Sequence, residues 1–211
     1  MRICVFGDSI TAGFFDSQGG WVPRLAGEAN KKIVSSDFTY RTSIYNLGIS
    51  GDNTYSLLER FDAETASRVA ADEELAILFS IGVNDSIFVY SKNEPQVPVG
   101  YFQENLKKLI EKAKKFTGRI AFTGLLPADE TLLDPIPWHR EGAYKSELIK
   151  QYEAAIKEVC DRERISFIPL LEPFSKGDWK ILLVDGVHPS DEGHDLISEI
   201  VVEELRKINW L

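Results

Sequence analysis

Residues 6–13 read Phe6-Gly7-Asp8-Ser9-Ile10-Thr11-Ala12-Gly13 and follow a short apolar run, Ile3-Cys4-Val5-Phe6. A serine flanked by small residues at the end of such a strand stands where strand turns into helix, with its hydroxyl open to attack a substrate. Near the other end, Asp185-Gly186-Val187-His188-Pro189 sets a carboxylate three residues before an imidazole. Imidazole accepts a proton near neutral pH, and a neighbouring carboxylate orients the ring and stabilises the imidazolium. Ser9, His188 and Asp185 therefore supply nucleophile, base and orienting acid for acyl transfer. Each has a plainer reading. A Gly-Asp-Ser turn also suits a phosphate-gripping loop or a helix cap, and an Asp–His pair also suits the start of a helix near Ser190. The G-x-G-x-x-G and G-x-x-x-x-G-K-[ST] spacings are missing, which weighs against the nucleotide reading. Of the other histidines, His194 falls inside a predicted helix as an exposed or structural residue. His139, beside Trp138 and Arg140, suits a pocket wall.

Acyl transfer also needs donors aimed at the oxyanion of its tetrahedral intermediate, worth about 3–4 kcal/mol each. Two segments offer them. Asn46-Leu47-Gly48-Ile49-Ser50-Gly51-Asp52 presents the unobstructed N–H of Gly51, and Ile81-Gly82-Val83-Asn84-Asp85 presents the side-chain amide of Asn84. Taken singly, the first also reads as a helix-entry turn and the second as a cap.

The elements that must position these residues alternate along the chain. Strand-like runs occupy residues 2–6, 43–47, 75–81, 119–123 and 166–170, short and rich in Ile, Val, Leu and Phe. Between them lie helical periodicities: Phe102, Leu106, Leu109, Ile110, Ala113 and Phe116, then Leu148, Ile149, Tyr152, Ile156 and Val159, then Leu196, Ile197, Ile200, Val201 and Leu205. Ser190 suits the cap of the last helix, with Asp191 and Glu192 at the positive end of its dipole. The alternation predicts a single α/β domain over residues 1–211, a parallel sheet covered by helices on both faces with right-handed crossovers. Ligands of such sheets bind beyond the carboxyl ends of the strands. Ser9, Gly51 and Asn84 each follow a strand, and Asp185 and His188 precede the last helix, so all five can meet on one rim. Two irregular stretches, 88–98 and 127–141, hold prolines and large apolar side chains and suit the walls of a site. The candidate pocket residues are Asp8 and Val187 beside the nucleophile and base, with Phe88, Ile136, Trp138 and His139.

Composition narrows the partners. The chain has 211 residues, 44 % hydrophobic and 27 % charged, with a formal charge of −9. That balance argues against a nucleic-acid backbone, which calls for clustered Lys and Arg. The basic run Lys107-Lys108 with Lys112, Lys114 and Lys115 reads as the solvated face of a helix. Cys4 and Cys160 make no disulfide framework and read as buried thiols. No apolar stretch reaches the roughly 18–20 residues of a membrane span. Arg2 and the apolar run after it resemble a leader, but cleavage beyond that run would remove Ser9, so the expected compartment is the cytoplasm. No H-E-x-x-H or comparable metal-ligand spacing occurs.

Taken together, Gly-Asp-Ser, Asn-x-x-x-x-Gly, Gly-x-Asn-Asp and Asp-x-x-His, in that order, resemble the blocks of the SGNH (GDSL-type) hydrolase family from residue 7 to residue 188. The first block ends in Ile10 where the family name carries Leu, one apolar side chain for another. The resemblance implies a flavodoxin-like three-layer α/β/α sandwich with a central parallel sheet. It implies Ser9 as nucleophile, His188 as base, Asp185 as its orienting acid, and an oxyanion hole from the N–H groups of Ser9 and Gly51 and the Asn84 side chain. The activity implied is carboxylic-ester hydrolysis through an acyl-enzyme, as in esterases, lipases, lysophospholipases, thioesterases or carbohydrate acetylesterases, with no cofactor. The expected partner is a small ester with a short to medium acyl chain, or an acetylated small molecule. An acyltransferase using the same acyl-enzyme and a non-catalytic ligand-binding module share the pattern.

Overall fold

The computed structural model describes residues 1–211. In chain order the elements begin β1 (Arg2–Gly7), α1 (Ser9–Ala12), α2 (Trp21–Ser35), β2 (Ser43–Gly48), α3 (Thr54–Ala66) and β3 (Leu75–Ser80). They continue with β4 (Phe88–Val89), β5 (Glu94–Pro95), α4 (Val99–Ala113), β6 (Ile120–Thr123), α5 (Glu130–Leu133) and β7 (Gly142–Ala143). The chain closes with α6 (Ser146–Glu163), β8 (Ser166–Ile168), α7 (Leu171–Phe174), a 3₁₀ turn (Trp179–Leu182) and α8 (Asp191–Lys207).

The apolar run before Ser9 becomes a central strand. The main sheet runs β2-β1-β3-β6-β8, and every neighbouring pair is parallel. Central strands of a covered parallel sheet are buried on both faces and read as continuous apolar runs. Ile3, Cys4, Val5 and Phe6 in β1 and Ala76, Ile77, Leu78 and Phe79 in β3 are all fully buried. The β2 edge is more open, with Ser43 and Asn46 exposed. Helices α2 and α8 pack together on one face, and α3, α4 and α6 pack in series on the other. Right-handed crossovers require this: the chain steps one way from β1 to β2 through α2, then back across β1 to β3 through α3, so those helices fall on opposite faces. The reversal opens a crevice between β1 and β3, where ligands of such sheets bind. Ser9 follows β1 and Asn84 follows β3.

The chain is thus a flavodoxin-like three-layer α/β/α sandwich around a parallel sheet. Differences from the sequence reading lie at the edges. The last strand stops at Ile168, because Pro169 has no N–H to continue the ladder. The stretches 88–98 and 127–141 are less irregular than their prolines suggest. Strand β4 pairs antiparallel with β5 and β7, so a three-stranded miniature sheet joins the first stretch to the residues just after the second. Ser190 caps α8 by accepting from the Gly193 N–H, with Asp191 and Glu192 in its first turn. Cys4 and Cys160 are free and buried, and burial pushes their thiols up to about 11 and about 12. Trp210 is buried in the chain's own core. No helix is long and apolar enough to cross a membrane.

Candidate active site

The turn that carries Ser9 is built by short-range bonds. Asp8 caps α1 by accepting from the Ile10 N–H at 3.0 Å, which makes Ser9 the first helical residue. Gly13 ends the turn in the left-handed conformation at φ 86°, where a Cβ would collide with the Gly19 carbonyl. Asn46 fastens β2 to this turn: its amide donates to the Thr11 carbonyl at 2.9 Å, and its oxygen accepts from the Gly48 N–H at 3.0 Å.

The two ends of the chain meet here. Ser9 Oγ lies 2.9 Å from His188 Nε2, and His188 Nδ1 lies 2.7 Å from Asp185 Oδ2. The other carboxylate oxygen, Oδ1, accepts the backbone N–H groups of Val187 at 3.1 Å and His188 at 2.9 Å. Gly186, at φ 97°, lets the loop close on itself. Burial opposes ionisation of Asp185, but the His188 ring and the two backbone N–H groups outweigh it and hold the carboxyl below its usual range. An ionised carboxylate only accepts, so Nδ1 carries the ring proton and Nε2 offers its lone pair to the Ser9 hydroxyl. The loop is held in turn by the Val184 N–H, which donates to the His188 carbonyl at 2.8 Å.

Asn84 and Gly51 follow β3 and β2, two strands that flank β1 in the sheet. Asn84 is buried, its Nδ2 donating to the Asp52 carbonyl at 2.9 Å while its Oδ1 accepts from the Tyr144 hydroxyl at 2.9 Å. Both ends of the amide are therefore fixed, and one N–H remains for a ligand. Gly51 sits at φ 84° with open space where a Cβ would stand. Neither its N–H nor that of Ser9 is taken up within the protein. Asp85 secures the Gly51 turn from below, accepting the Thr54 N–H through both carboxylate oxygens, at 3.0 and 3.1 Å. Arg60 ties the same turn to β1, pairing with Asp52 at 2.7 Å and donating to the Gly7 carbonyl at 3.1 Å.

Asp8 is itself buried, and desolvation pushes its carboxyl up to about 7 despite the hydrogen bond from Ile10. An unfolded aspartate titrates near 3.9. Between those values the native state holds a proton that the unfolded chain has lost, so this group makes the fold less stable as pH rises from about 4 to about 7. Asp8→Asn keeps a capping oxygen and removes the titration. The variant is therefore expected to gain stability relative to wild type between pH 5 and pH 8 in urea unfolding. A difference that stays constant with pH would contradict this assignment.

The remaining candidates lie in different surroundings. Val187 is buried inside the Asp185–His188 loop. Trp138 is exposed, its ring centre 6.3 Å from that of His188. His139 is exposed with its ring over Gly142. Ile136 is buried in the main core, bridged to His139, and Phe88 packs edge-on against Tyr90 with the Lys145 amine 5.4 Å above its ring. His194 is fully buried in α8, and burial lowers its pKa although Asp16 and the Phe14 backbone act the other way. It is a packing residue, not one that touches Ser9. Sequence reasoning missed Phe14 and Phe15, whose ring centres lie 5.4 and 5.5 Å from that of His188. Two adjacent aromatic residues directly after Gly13, which ends the Ser9 turn, were the available signal. It also missed Tyr144, which nothing local connects to Asn84. No group of three or more His, Cys, Asp or Glu side chains is placed to hold a metal ion.

A parallel α/β/α sandwich with a serine, a histidine and an aspartate in hydrogen-bonded line at the reversal point of its sheet defines an SGNH-type hydrolase. The chain belongs to the GDSL-like Lipase/Acylhydrolase family, whose profile matches residues 5–196, and it is a carboxylic-ester hydrolase. It is 28 % identical to the GDSL esterase/lipase CPRD49 of Arabidopsis thaliana, over 99 % of this chain and 80 % of that protein. It is 24 % identical to the isoamyl acetate-hydrolyzing esterase 1 homolog of Bos taurus, over 93 % of this chain and 78 % of that one. The fold matches the crystal structure of a lipase/acylhydrolase from Enterococcus faecalis with a TM-score of 0.76 and 22 % identity, covering 98 % of this chain and 95 % of that one.

Proposed function

We propose that the chain hydrolyses small carboxylic esters through an acyl-enzyme on Ser9. The observation that carries this reading is the unbroken line from Asp185 Oδ2 through His188 to Ser9 Oγ, at 2.7 and 2.9 Å. His188 Nε2 takes the hydroxyl proton as Oγ attacks the ester carbonyl. The tetrahedral oxyanion forms opposite the imidazole, against the N–H groups of Ser9 and Gly51 and the free amide N–H of Asn84. Collapse expels the alcohol, which leaves with the proton held by His188. Water then repeats the cycle: His188 takes its proton, the hydroxide adds to the acyl carbon, and Ser9 departs with that proton restored. Asp185 stabilises the imidazolium at each step without itself being protonated.

The substrate class we propose is esters with short to medium acyl chains, acetates among them. The Bos taurus relative, whose printed name is that of an isoamyl acetate-hydrolyzing esterase homolog, supports it, as does a net charge of −9, which disfavours polyanionic substrates.

If Asn84 donates to the oxyanion, Asn84→Ala lowers kcat by about 100- to 1000-fold with a smaller change in KM. Unchanged turnover would remove Asn84 from the site. The direct test of the function is release of p-nitrophenol from esters graded from acetyl to decanoyl. Turnover that peaks at the shorter chains supports the assignment, and no turnover with any ester overturns it.

A further inference from the structure

We propose that Phe14, Phe15 and Trp138 form the subsite for the leaving alcohol and select esters whose alcohol is apolar. The proposal rests on the Ser9 acyl-enzyme reading and deepens it. When the ester bond breaks, the leaving oxygen must be within hydrogen-bond reach of the His188 proton. In the Ser9 reading the carbonyl oxygen is meanwhile held by the N–H groups of Ser9, Gly51 and Asn84. The alcohol therefore departs past the imidazole, and whatever surrounds that ring touches the alcohol and not the acyl chain.

Three aromatic rings surround it. Phe14 and Phe15 pack on each other edge to face, with ring centres 4.8 Å apart, and both lie against His188 at 5.4 and 5.5 Å. Trp138 approaches from another loop, at 6.3 Å. None is spent on the core: the three are 45 %, 54 % and 56 % exposed. They offer an apolar surface beside the base, and among them only the Trp138 indole carries a hydrogen-bond donor. A polyhydroxylated alcohol finds few partners there, whereas an alkyl or aryl one loses water favourably.

The surface is also held in place. Phe15 sits at φ 64°, a left-handed conformation uncommon for a bulky side chain and kept only where the surroundings enforce it. Those surroundings are explicit. The Phe14 N–H donates to the Ser9 carbonyl at 3.0 Å, and Asp16, directly after Phe15, accepts the Gly20 N–H at 2.5 Å and pairs with Arg24 at 2.6 Å. Ser17 is bonded to Asp191 on α8. Two rings are thus fixed to the nucleophile turn itself and turned outward next to the base.

The test uses two ester series. In one, the acyl group is always acetyl and the alcohol is methyl, butyl or hexyl, alkoxides that leave with nearly equal intrinsic ease. In the other, the alcohol is always methyl and the acyl chain lengthens. For the wild type, kcat/KM is expected to rise at least about tenfold from methyl to hexyl acetate. In Phe15→Ala and Trp138→Ala that ratio falls several-fold toward one, while the acyl-chain profile keeps its slope, and Phe15→Leu retains most of the ratio. A variant that loses the same factor on every ester would mean that the rings only position His188, and would overturn the proposal. So would a wild-type profile flat in alcohol length, or a variant whose acyl profile changes instead. Absence of turnover with every ester would fail the Ser9 reading underneath it, a distinct result.

Discussion

Ser9→Ala is expected to lower ester turnover by about four to six orders of magnitude while the protein stays folded. The hydroxyl is the only atom the substitution removes, and its one side-chain partner is His188 at 2.9 Å. Alanine is a good helix former at the first position of α1, and the cap from Asp8 to the Ile10 N–H is made without it. The stability cost is therefore small and the chemical cost large, because no other side chain lies in line with the imidazole. The measurement is kcat on p-nitrophenyl acetate together with the midpoint of thermal unfolding. Turnover above about one per cent of wild type, in a sample free of wild-type enzyme, would mean that another group attacks the ester.

Asp185→Asn carries the second largest effect, a loss of about 10⁴-fold in kcat. The reason is local hydrogen bonding. Oδ1 of Asp185 accepts from two backbone N–H groups, Val187 and His188. An asparagine must keep its oxygen there, which places its NH₂ where Oδ2 now faces His188 Nδ1. That NH₂ donates, so Nδ1 must become the acceptor and the ring proton moves to Nε2. Nε2 then points a proton at the Ser9 hydroxyl and cannot accept one. Asp185→Ala, which leaves Nδ1 free to choose, is expected to retain more activity than Asp185→Asn. Activity of Asp185→Asn within about tenfold of wild type would show that Asp185 does not set the tautomer.

The sequence revealed most where chemistry is local. The five main strands were legible because a covered parallel sheet makes its strands near-continuous apolar runs, as in Ile3–Phe6 and Ala76–Phe79. The Ser9 turn and the Asp185–His188 loop were legible for a related reason: the Asp8 cap on Ile10 and the bonds from Val187 and His188 to Asp185 span only two or three residues. What could not be read depends on long-range partners. The miniature sheet pairs strands of only two residues each, too short for any alternation to register. Tyr144 reaches Asn84 from 60 residues away, and nothing beside it in sequence marks that role. The helical position of His194 was legible, but whether that face of α8 met solvent or the nucleophile loop depended on packing. Phe14 and Phe15 were visible as residues, but their approach to the His188 ring depends on how the loop after Gly13 folds against Arg24 and α8.

The central claim is that Ser9 is the atom acylated, with His188 as its base. The most direct test is reaction with a p-nitrophenyl alkylphosphonate, followed by intact-mass measurement and peptide mapping. The serine oxygen bonds to phosphorus and p-nitrophenolate leaves, so the adduct marks the nucleophile permanently. The account predicts one phosphonyl group per chain, carried on the peptide that contains Ser9, with none on Ser9→Ala and much slower labelling of His188→Ala. An adduct on any other residue, or full ester turnover with Ser9 unlabelled, would contradict it.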